Sequence, residues 1–231
     1  MNEHTLSMRL ERVAAHVPAG ARLADIGSDH GYLPVALMRR GAIVAAVAGE
    51  VALTPFHAAV RTVRDNDLQP FITVRLASGL AAIEPSDGIT AISLCGMGGE
   101  TIRDILDSGK ARLRGHERLI LQPNGGEQPL RRWLMDNGYR ILDEEVLQEN
   151  RFFYEIIVAE RGAPVSYSVE QLYFGPLLMQ ARSPAFIAKW QRLLRQRQKT
   201  LTSFKQARQE VPEEKLEEIS RQIQWITELL A

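Results

Sequence analysis

The sequence predicts an α/β fold: a Rossmann-like, doubly wound sheet, parallel with a terminal antiparallel hairpin, followed by a C-terminal α-helical coiled-coil hairpin. Between residues 22 and 160, short β-rich apolar runs alternate with longer segments of helical period, which is typical of a sheet covered by helices on both faces. From residue 186 onward the apolar residues follow a spacing close to a heptad. We therefore predict two domains, residues 1–162 and residues 163–231.

The elements of the first domain begin with an amphipathic helix, in which apolar residues recur at steps of three to four from Leu6 to Val17. The strands expected after it are Arg22–Ile26, Ile43–Ala48, Ile72–Leu76, Ile89–Leu94 and Arg118–Leu121. The helices expected between these strands and after the last are Tyr32–Arg39, Pro55–Asp65, Glu100–Asp107 and Pro129–Asp136. Thr54 is the expected cap of the second of these helices, with Pro55 in its first turn.

The sheet is expected to end in a hairpin. Ile141–Gln148 and Phe152–Glu160 are separated by three polar residues, and strands joined so closely can pair only antiparallel. Beyond residue 164 the pattern is helical, and Val211-Pro212 divides it into two stretches. Trp190 and Phe204 fall on the heptad stripe and are interpreted as core residues of the helical hairpin.

Charge is balanced overall but segregated near the C-terminus. The chain has 28 Lys and Arg against 28 Asp and Glu, which excludes a globally basic protein and confines any nucleic-acid contact to a local patch. Residues 182–208 hold eight bases and no acid, whereas residues 209–231 hold six acids and two bases. Two interpretations stay open: the two arms pair with each other, or the basic arm forms an RNA-binding face. In the second interpretation, the residues that form the RNA-binding face are Lys189, Arg192, Arg195, Arg197, Lys199, Lys205 and Arg208.

The lone cysteine, Cys95, excludes an intramolecular disulfide, and no Cys/His cluster is present to bind a metal. With no apolar leader segment and no uncharged apolar run of about 18 residues, we expect a cytoplasmic protein without membrane contact. Because a heptad stripe can pair within one chain or between two, a monomer or a weak dimer is expected.

The loop after the first strand carries a nucleotide-binding pattern. Asp25 ends the strand, and Gly27 and Gly31 follow it two and six residues later. A dinucleotide would place its pyrophosphate at the following helix N-terminus, where the carboxylate of Asp29 would repel it. The same carboxylate suits a sulfonium cation or an amine, so the loop favours S-adenosylmethionine over NAD or FAD.

Two further strand ends offer polar groups. Glu50 stands 19 residues beyond Gly31, where an acid can accept hydrogen bonds from both ribose hydroxyls; the alternative is an exposed strand-end glutamate. Ser78, after the third strand, is interpreted either as a contact to an adenine edge or as a turn residue.

The segment Gly96-Met97-Gly98-Gly99 follows the fourth strand. Its glycines leave backbone amides free of side chains, so these amides can contact a ligand; the alternative is that the glycines only permit a tight turn. No Asn/Asp-Pro-Pro-aromatic motif is found there, which points away from methylation of an exocyclic amine. Without a flanking histidine or lysine, Cys95 is interpreted as a small buried hydrophobe.

These residues resemble the TrmK family, the bacterial class I methyltransferases that modify N1 of adenine 22 in tRNA. The resemblance rests on residues 24–34 (ADIGSDHGYLP), on the Gly-Met-Gly-Gly turn, and on Leu121-Gln122-Pro123-Asn124. It implies that residues 1–162 bind S-adenosylmethionine and that the partner is tRNA. The cofactor-binding residues that it implies are Asp25, Gly27, Ser28, His30, Gly31, Tyr32, Glu50, Ala77, Ser78, Gly79, Gly96 and Met97.

The resemblance also implies that the target adenine faces Asp29 and residues 122–124. N1 of adenine carries an in-plane lone pair, so catalysis consists chiefly of positioning, and a carboxylate near N6 would stabilise the charge that develops. Asp29 and Asn124 are the catalytic candidates; the alternative roles are a loop cap for Asp29 and a turn residue for Asn124. The residues expected to contact the substrate are Gln122, Pro123, Arg9, Arg195 and Arg197. Further phosphate candidates, each with a solvated surface charge as the alternative, are Arg12, Arg39, Arg40, Arg131 and Arg132.

Two departures from the family pattern keep other functions open. The family usually has alanine where this chain has Gly31, and Gly-Asp-Gly where it has Ala77-Ser78-Gly79. The alternatives are a methyltransferase for a small molecule or a protein, and a catalytically silent module that binds S-adenosylmethionine or RNA. An enzyme would lose turnover when Asp29 is replaced by alanine, whereas a silent module would have none to lose.

Overall fold

A computed structural model describes residues 5–206 and 212–231 and confirms the α/β fold. The strands are β1 Ala21–Ile26, β2 Ile43–Glu50, β3 Ile72–Leu76, β4 Ala91–Met97, β5 Arg118–Pro123, β6 Tyr139–Glu149 and β7 Phe152–Arg161. They form one seven-stranded sheet in the order β3-β2-β1-β4-β5-β7-β6. The first five strands are parallel, and β7 runs antiparallel to both β5 and β6, as the hairpin prediction requires.

Helices cover both faces of the sheet and continue beyond it. They are α1 Met8–His16, α2 Tyr32–Arg39, α3 Leu53–Asp65, α4 Gly99–Ser108, α5 Glu127–Asp136, α6 Val169–Phe174, α7 Pro176–Ala181, α8 Pro184–Lys205 and α9 Glu213–Leu230. The cap predicted for α3 was wrong: the helix begins at Leu53, with Ala52 at the cap position, so Thr54 already lies inside it. The short helices α6 and α7 were not predicted, because six residues are too few to show a helical period.

Three apolar clusters make up the core. The first lies between the sheet and α1 and α2, and the second lies on the opposite face under α4 and α5. The third joins Val146 of β6 to residues of the C-terminal helices, including Phe186, Trp190 and Ile226. Trp190 is 3% exposed, as expected of a core residue.

Helices α8 and α9 pack against each other. The coiled-coil geometry and the boundary between residues 162 and 163 stay predictions, and Arg208 and Val211 lie outside the described residues. Within the described ranges no salt bridge joins α8 to α9; Lys189 of α8 instead pairs with Glu127 and Glu155 of the sheet domain.

The sheet topology fixes the position of the candidate site. Chain order reverses between β1 and β4, and ligands of open α/β sheets bind at the carboxyl ends of strands at such a switch point. Among residues 5–206 and 212–231, no helix has the length and apolarity needed to cross a membrane. The same residues contain no cluster of three His, Cys, Asp or Glu side chains arranged to hold a metal ion.

Candidate functional site

A cleft of about 300 Å³ opens at the switch point between β1 and β4. Its walls are the first residues of α1 and α2, the loop after β1 and the end of β4. The residues that line it are Arg9, Leu10, Asp25, Gly27, Ser28, Asp29, Tyr32, Leu33, Cys95, Gly96 and Met97. The structure therefore brings together, around one cavity, residues that the sequence places on three separate segments.

The loop after β1 turns through three left-handed residues. Gly27 and Gly31 both have φ of 72°, and Asp29 between them has φ of 56°. Left-handed backbone suits glycine, and among other residues it is tolerated best by Asn and Asp. The backbone amide of Asp29 donates a hydrogen bond to the Glu50 carboxyl, which partly offsets the rise in the Glu50 pKa caused by burial. The Asp29 side chain is 68% exposed at the cleft.

Two buried carboxylates lie at the ends of β1 and β2. Asp25 Oδ1 accepts a hydrogen bond from Ser93 Oγ at 2.6 Å, and burial raises the Asp25 pKa. Glu50 is 4% exposed, and burial together with the nearby charge of Asp25 raises its pKa to about 7. Its Oε1 has no hydrogen-bond partner among the described residues. An unpartnered buried acceptor at this edge is suited to hydroxyl donors of a ligand.

The turn after β4 is held by side chains from β5 and α1. Gln122 Oε1 accepts hydrogen bonds from Gly96 N at 3.1 Å and from Arg9 Nη1 at 2.5 Å. Gln122 Nε2 donates to Asn124 Oδ1 at 3.0 Å, and Asn124 Nδ2 donates to the Gly96 carbonyl at 2.9 Å. Both ends of the Asn124 amide are therefore engaged within the turn.

This network changes the expectation for Gln122. Its side chain is fully buried, so it cannot contact a substrate base in this structure and instead holds Arg9 and Gly96 in place. Pro123 is also buried, paired with Met97 at the end of the sheet. Asn124 is exposed, and its side-chain amide joins Gln122 to the Gly96 carbonyl.

Other predicted cofactor residues lie outside the cleft lining. Ala77 donates its backbone N–H to the Glu50 carbonyl at 2.7 Å, which sets the segment from Ala77 to Gly79 beside the end of β2. Ser78 is exposed there. His30 is 48% exposed and stacks on Tyr32, with its Nε2 3.5 Å from Asp29 Oδ1.

The predicted phosphate contacts fall into three groups. Arg9 lines the cleft and lies over the Tyr154 ring, while Arg195 is exposed on α8 and Arg197 lines a second groove. The prediction for Arg131 was wrong: it is fully buried and cannot reach a phosphate. Lys189 is likewise largely buried and engaged by carboxylates, with 12% of its side chain exposed.

Arg131 belongs to a buried ionic cluster that the sequence analysis missed. Its guanidinium pairs with Glu144 at 2.7 Å and with Glu155 at 2.5 Å, and Glu155 also binds Lys189 of α8. Burial would raise the pKa of Glu155, but the two cations outweigh it and lower that pKa. The available signal was the charged Glu155 within the apolar run of β7.

Cys95 packs against the first apolar cluster as a small hydrophobe does, but the expectation that it is buried was wrong, because it is partly exposed and lines the cleft. Desolvation nevertheless raises the pKa of its thiol far above the usual range, so the nucleophilic thiolate is suppressed.

The family model described as TrmK, tRNA (adenine(22)-N(1))-methyltransferase, matches residues 23–228. The chain belongs to the TrmK family. A tRNA (adenine(22)-N(1))-methyltransferase of Bacillus subtilis (strain 168) is 38% identical over 237 residues, covering 100% of this chain and 99% of the relative.

Solved structures of similar proteins agree with this TrmK membership. The crystal structure of B. subtilis TrmK, an m1A22 tRNA methyltransferase, matches with a TM-score of 0.91 at 37% identity, covering 99% of this chain and 100% of that one. Sp1610 of Streptococcus pneumoniae, solved in complex with S-adenosyl-L-methionine, matches with a TM-score of 0.90 at 43% identity, covering 98% and 100%.

Proposed function

We propose that this TrmK-family chain is a cytoplasmic enzyme that transfers the methyl group of S-adenosylmethionine to N1 of adenine 22 in tRNA. The observation that carries the proposal is the 38% identity, over the whole chain, to a relative named for this reaction. The cleft between β1 and β4 supplies a cofactor site of the expected kind at the expected edge. Within residues 5–206 and 212–231, no feature favours a small-molecule or protein substrate.

The residues around the cleft fit S-adenosylmethionine. Glu50 presents an unpartnered buried oxygen that suits the ribose hydroxyls, and Asp25 adds negative charge that suits a cation. A Cβ on Gly27 would meet the Met97 Cε at 3.4 Å and would strain a φ of 72°, so glycine keeps this wall open. When bound, S-adenosylmethionine supplies an electrophilic methyl group on a sulfonium.

Asp29 is the proposed catalytic residue. Its carboxylate is 68% exposed at the cleft, among residues proposed to hold the cofactor, and so it can face a base that enters from the RNA. N1 of adenine attacks through a lone pair that it already has, and methylation leaves positive charge on the ring. A carboxylate beside the ring favours that charge and can accept a proton from N6.

Arg9, Gln122 and Asn124 are proposed as positioning residues. Their hydrogen bonds hold the Gly96 amide and carbonyl, and therefore set the wall of the cleft against which the base and cofactor must align. A displacement of about 1 Å in such a wall is costly for a reaction that depends on alignment. Pro123, buried at the end of β5, fixes where this segment leaves the sheet.

Arg195 and Arg197 on α8 are proposed to contact tRNA phosphates. The net charge of the chain is zero, so a local cluster of cations must supply the attraction. Helix α8 carries six bases and no acid between Pro184 and Lys205, which makes it the strongest such cluster in the sequence.

The test is incubation of the purified protein with methyl-labelled S-adenosylmethionine and unmodified tRNA, followed by nucleoside mass spectrometry. We expect 1-methyladenosine, and primer extension should stop at position 22. A tRNA transcript with uridine at position 22 is the matched control and should accept no label. Cofactor binding by calorimetry without any labelled nucleoside would refute the tRNA assignment.

A further inference from the structure

A second groove, of about 460 Å³, lies between the sheet domain and the C-terminal helices. One wall is the start of α5, the second is the turn of the β6–β7 hairpin, and the third is α8. The predicted substrate residue Arg197 lines this groove, but the cofactor residues predicted from the sequence do not.

The groove has an aromatic wall. Phe152 is 50% exposed at the tip of the hairpin, and Phe153, Tyr173 and Trp190 line the groove deeper in the molecule. Trp190 is 3% exposed, and its indole Nε1 finds no hydrogen-bond acceptor among the described residues. A buried unpartnered donor beside a ring wall indicates a ligand that carries both a flat apolar face and acceptor atoms.

The opposite side of the groove is cationic. Arg192 donates to the Arg151 carbonyl, and the Arg197 Nε is buried without a partner among the described residues. The carboxylate of Glu127 also lines the groove, 3.8 Å from Lys189, which Glu127 shares with the buried Glu155. The two guanidinium groups therefore leave the groove with an excess of positive charge, which suits a phosphate.

Hydrogen bonds of residues 124–126 connect the groove to the turn after β4 at the candidate catalytic site. Gly125 and Gly126 line the groove, and the Gly125 carbonyl accepts the Gly99 amide at 2.7 Å. The preceding residue, Asn124, donates its backbone N–H to the Met97 carbonyl at 2.7 Å. A strand whose target base enters the cleft can therefore reach the groove across the loop of residues 124–126.

We propose that this groove binds one unstacked nucleotide of the tRNA substrate other than the target adenine, with its base against Phe152 and its phosphate on Arg192 and Arg197. The inference rests on the proposed function, because it takes RNA as the substrate. Unstacked bases bind to aromatic side chains next to cations that hold the backbone, and this combination distinguishes a nucleotide from an acidic peptide.

The test compares matched pairs of variants. Phe152→Leu removes the ring from the groove, whereas Phe71→Leu removes an equally exposed ring, 51% against 50%, at the far edge of the sheet. Arg197→Gln removes a groove cation, and Arg61→Gln removes an exposed cation on α3. Binding of unmodified tRNA, the KM for tRNA, kcat and calorimetric S-adenosylmethionine affinity are measured for each.

We expect Phe152→Leu and Arg197→Gln each to weaken tRNA binding about tenfold and to raise KM in proportion, since stacking and phosphate contacts are of this size. S-adenosylmethionine affinity should stay at the wild-type value, and the Phe71 and Arg61 variants should match wild type throughout. Phe152→Trp should restore binding because it restores a ring. Arg197→Gln should also lower the slope of log affinity against log salt by about one.

Photocrosslinking provides a second measurement that needs no loss of function. A benzoylphenylalanine at position 152 should crosslink to one nucleotide of the tRNA, and the same group at position 71 should not. Normal tRNA binding by both groove variants, or no crosslink at position 152, would overturn the groove proposal. If the wild type still forms 1-methyladenosine, the proposed function stands. Absence of 1-methyladenosine from the wild type would instead refute the function itself.

Discussion

Burial raises the pKa of Glu50 to about 7, and the charge of the Asp25 carboxylate on the neighbouring strand adds to this effect. The two residues end neighbouring strands, with Asp25 opposite Ala48 in the register of β1 and β2. A glutamate with an ordinary pKa would be ionised throughout the neutral range. Glu50 instead changes its charge near pH 7, at the end of β2 and beside the loop of Asp29, which lines the cleft.

This shift predicts pH-dependent affinity for S-adenosylmethionine. Ribose hydroxyls donate to the ionised carboxylate, so binding favours the form that predominates above a pKa of about 7. The dissociation constant should therefore fall about tenfold between pH 6 and pH 8, because about nine-tenths of Glu50 is protonated at pH 6 and one-tenth at pH 8. Calorimetric titration across this range measures the effect.

The control for this prediction is Glu50→Gln, which has the same shape and no titration. Its affinity should be weaker at pH 8 and should lack the tenfold dependence, and subtracting its pH profile removes any titration of the ligand itself. Parallel profiles for Glu50→Gln and wild type would contradict the assigned role. A second check is proton release at pH 7, seen as a binding enthalpy that changes with the ionisation enthalpy of the buffer.

Asp29 is expected to act through its charge and not only through its backbone. Asp29→Asn keeps a residue that tolerates a φ of 56° and removes the carboxylate, so the loop should persist while kcat falls about a hundredfold. Single-turnover kinetics with tRNA measure this fall, and calorimetry should show wild-type cofactor affinity. Asp29→Gly, which also suits left-handed backbone, should be impaired to a similar degree.

Those two variants separate catalysis from loop shape. If Asp29 merely shaped the loop, both replacements would retain wild-type kcat, because each can adopt the same backbone conformation. That outcome would transfer the catalytic role to another group and leave Asp29 as a cap.

Gly99 is expected to be intolerant of any side chain. A Cβ there would lie 2.1 Å from the Gly126 carbonyl oxygen, which is backbone and cannot rotate away. Gly99→Ala should therefore separate the start of α4 from the loop before α5 and lower the free energy of unfolding by about 1–3 kcal/mol. Urea denaturation provides the measurement.

The neighbouring glycine is the matched control for Gly99. A Cβ on Gly98 would lie 3.7 Å from the Thr101 Oγ1, an ordinary contact, and Gly98 has a φ of −62° that alanine adopts freely. Gly98→Ala should thus stay within about 0.5 kcal/mol of wild type. Equal stabilities for the two alanine variants would show that the loop yields to Gly99→Ala at no cost.

Local patterns explain why the strands and the first loop were predictable. The five parallel strands are short apolar runs bounded by turns, and the structure moves their ends by no more than three residues. Gly27 and Gly31 were identified as part of a nucleotide-binding loop after β1, and both have the positive φ that glycine adopts readily. In each case the signal lies within about ten residues of sequence.

Contacts between distant segments were not predictable in the same way. Arg9 and Gln122 are 113 residues apart, and nothing local in either segment indicates that a guanidinium and an amide meet below the Gly96 turn. Arg131 was expected to contact a phosphate or solvent, and its two carboxylate partners come from two other strands far along the chain. Long-range polar pairs depend on strand order and register, which the sequence does not display locally.

The buried Arg131 leads to the last prediction, on stability. Arg131→Ala would leave Glu144 and Glu155 buried without their shared cation, so the free energy of unfolding should fall by about 3–5 kcal/mol. Arg132→Ala is the control, since Arg132 neighbours it on the exposed side of α5 and should change stability by less than about 0.5 kcal/mol. Both are measured by urea denaturation at pH 7. If Arg131→Ala lowered the free energy of unfolding as little as Arg132→Ala, Lys189 alone would compensate Glu155. The cluster would then contribute little to holding α8 against the sheet.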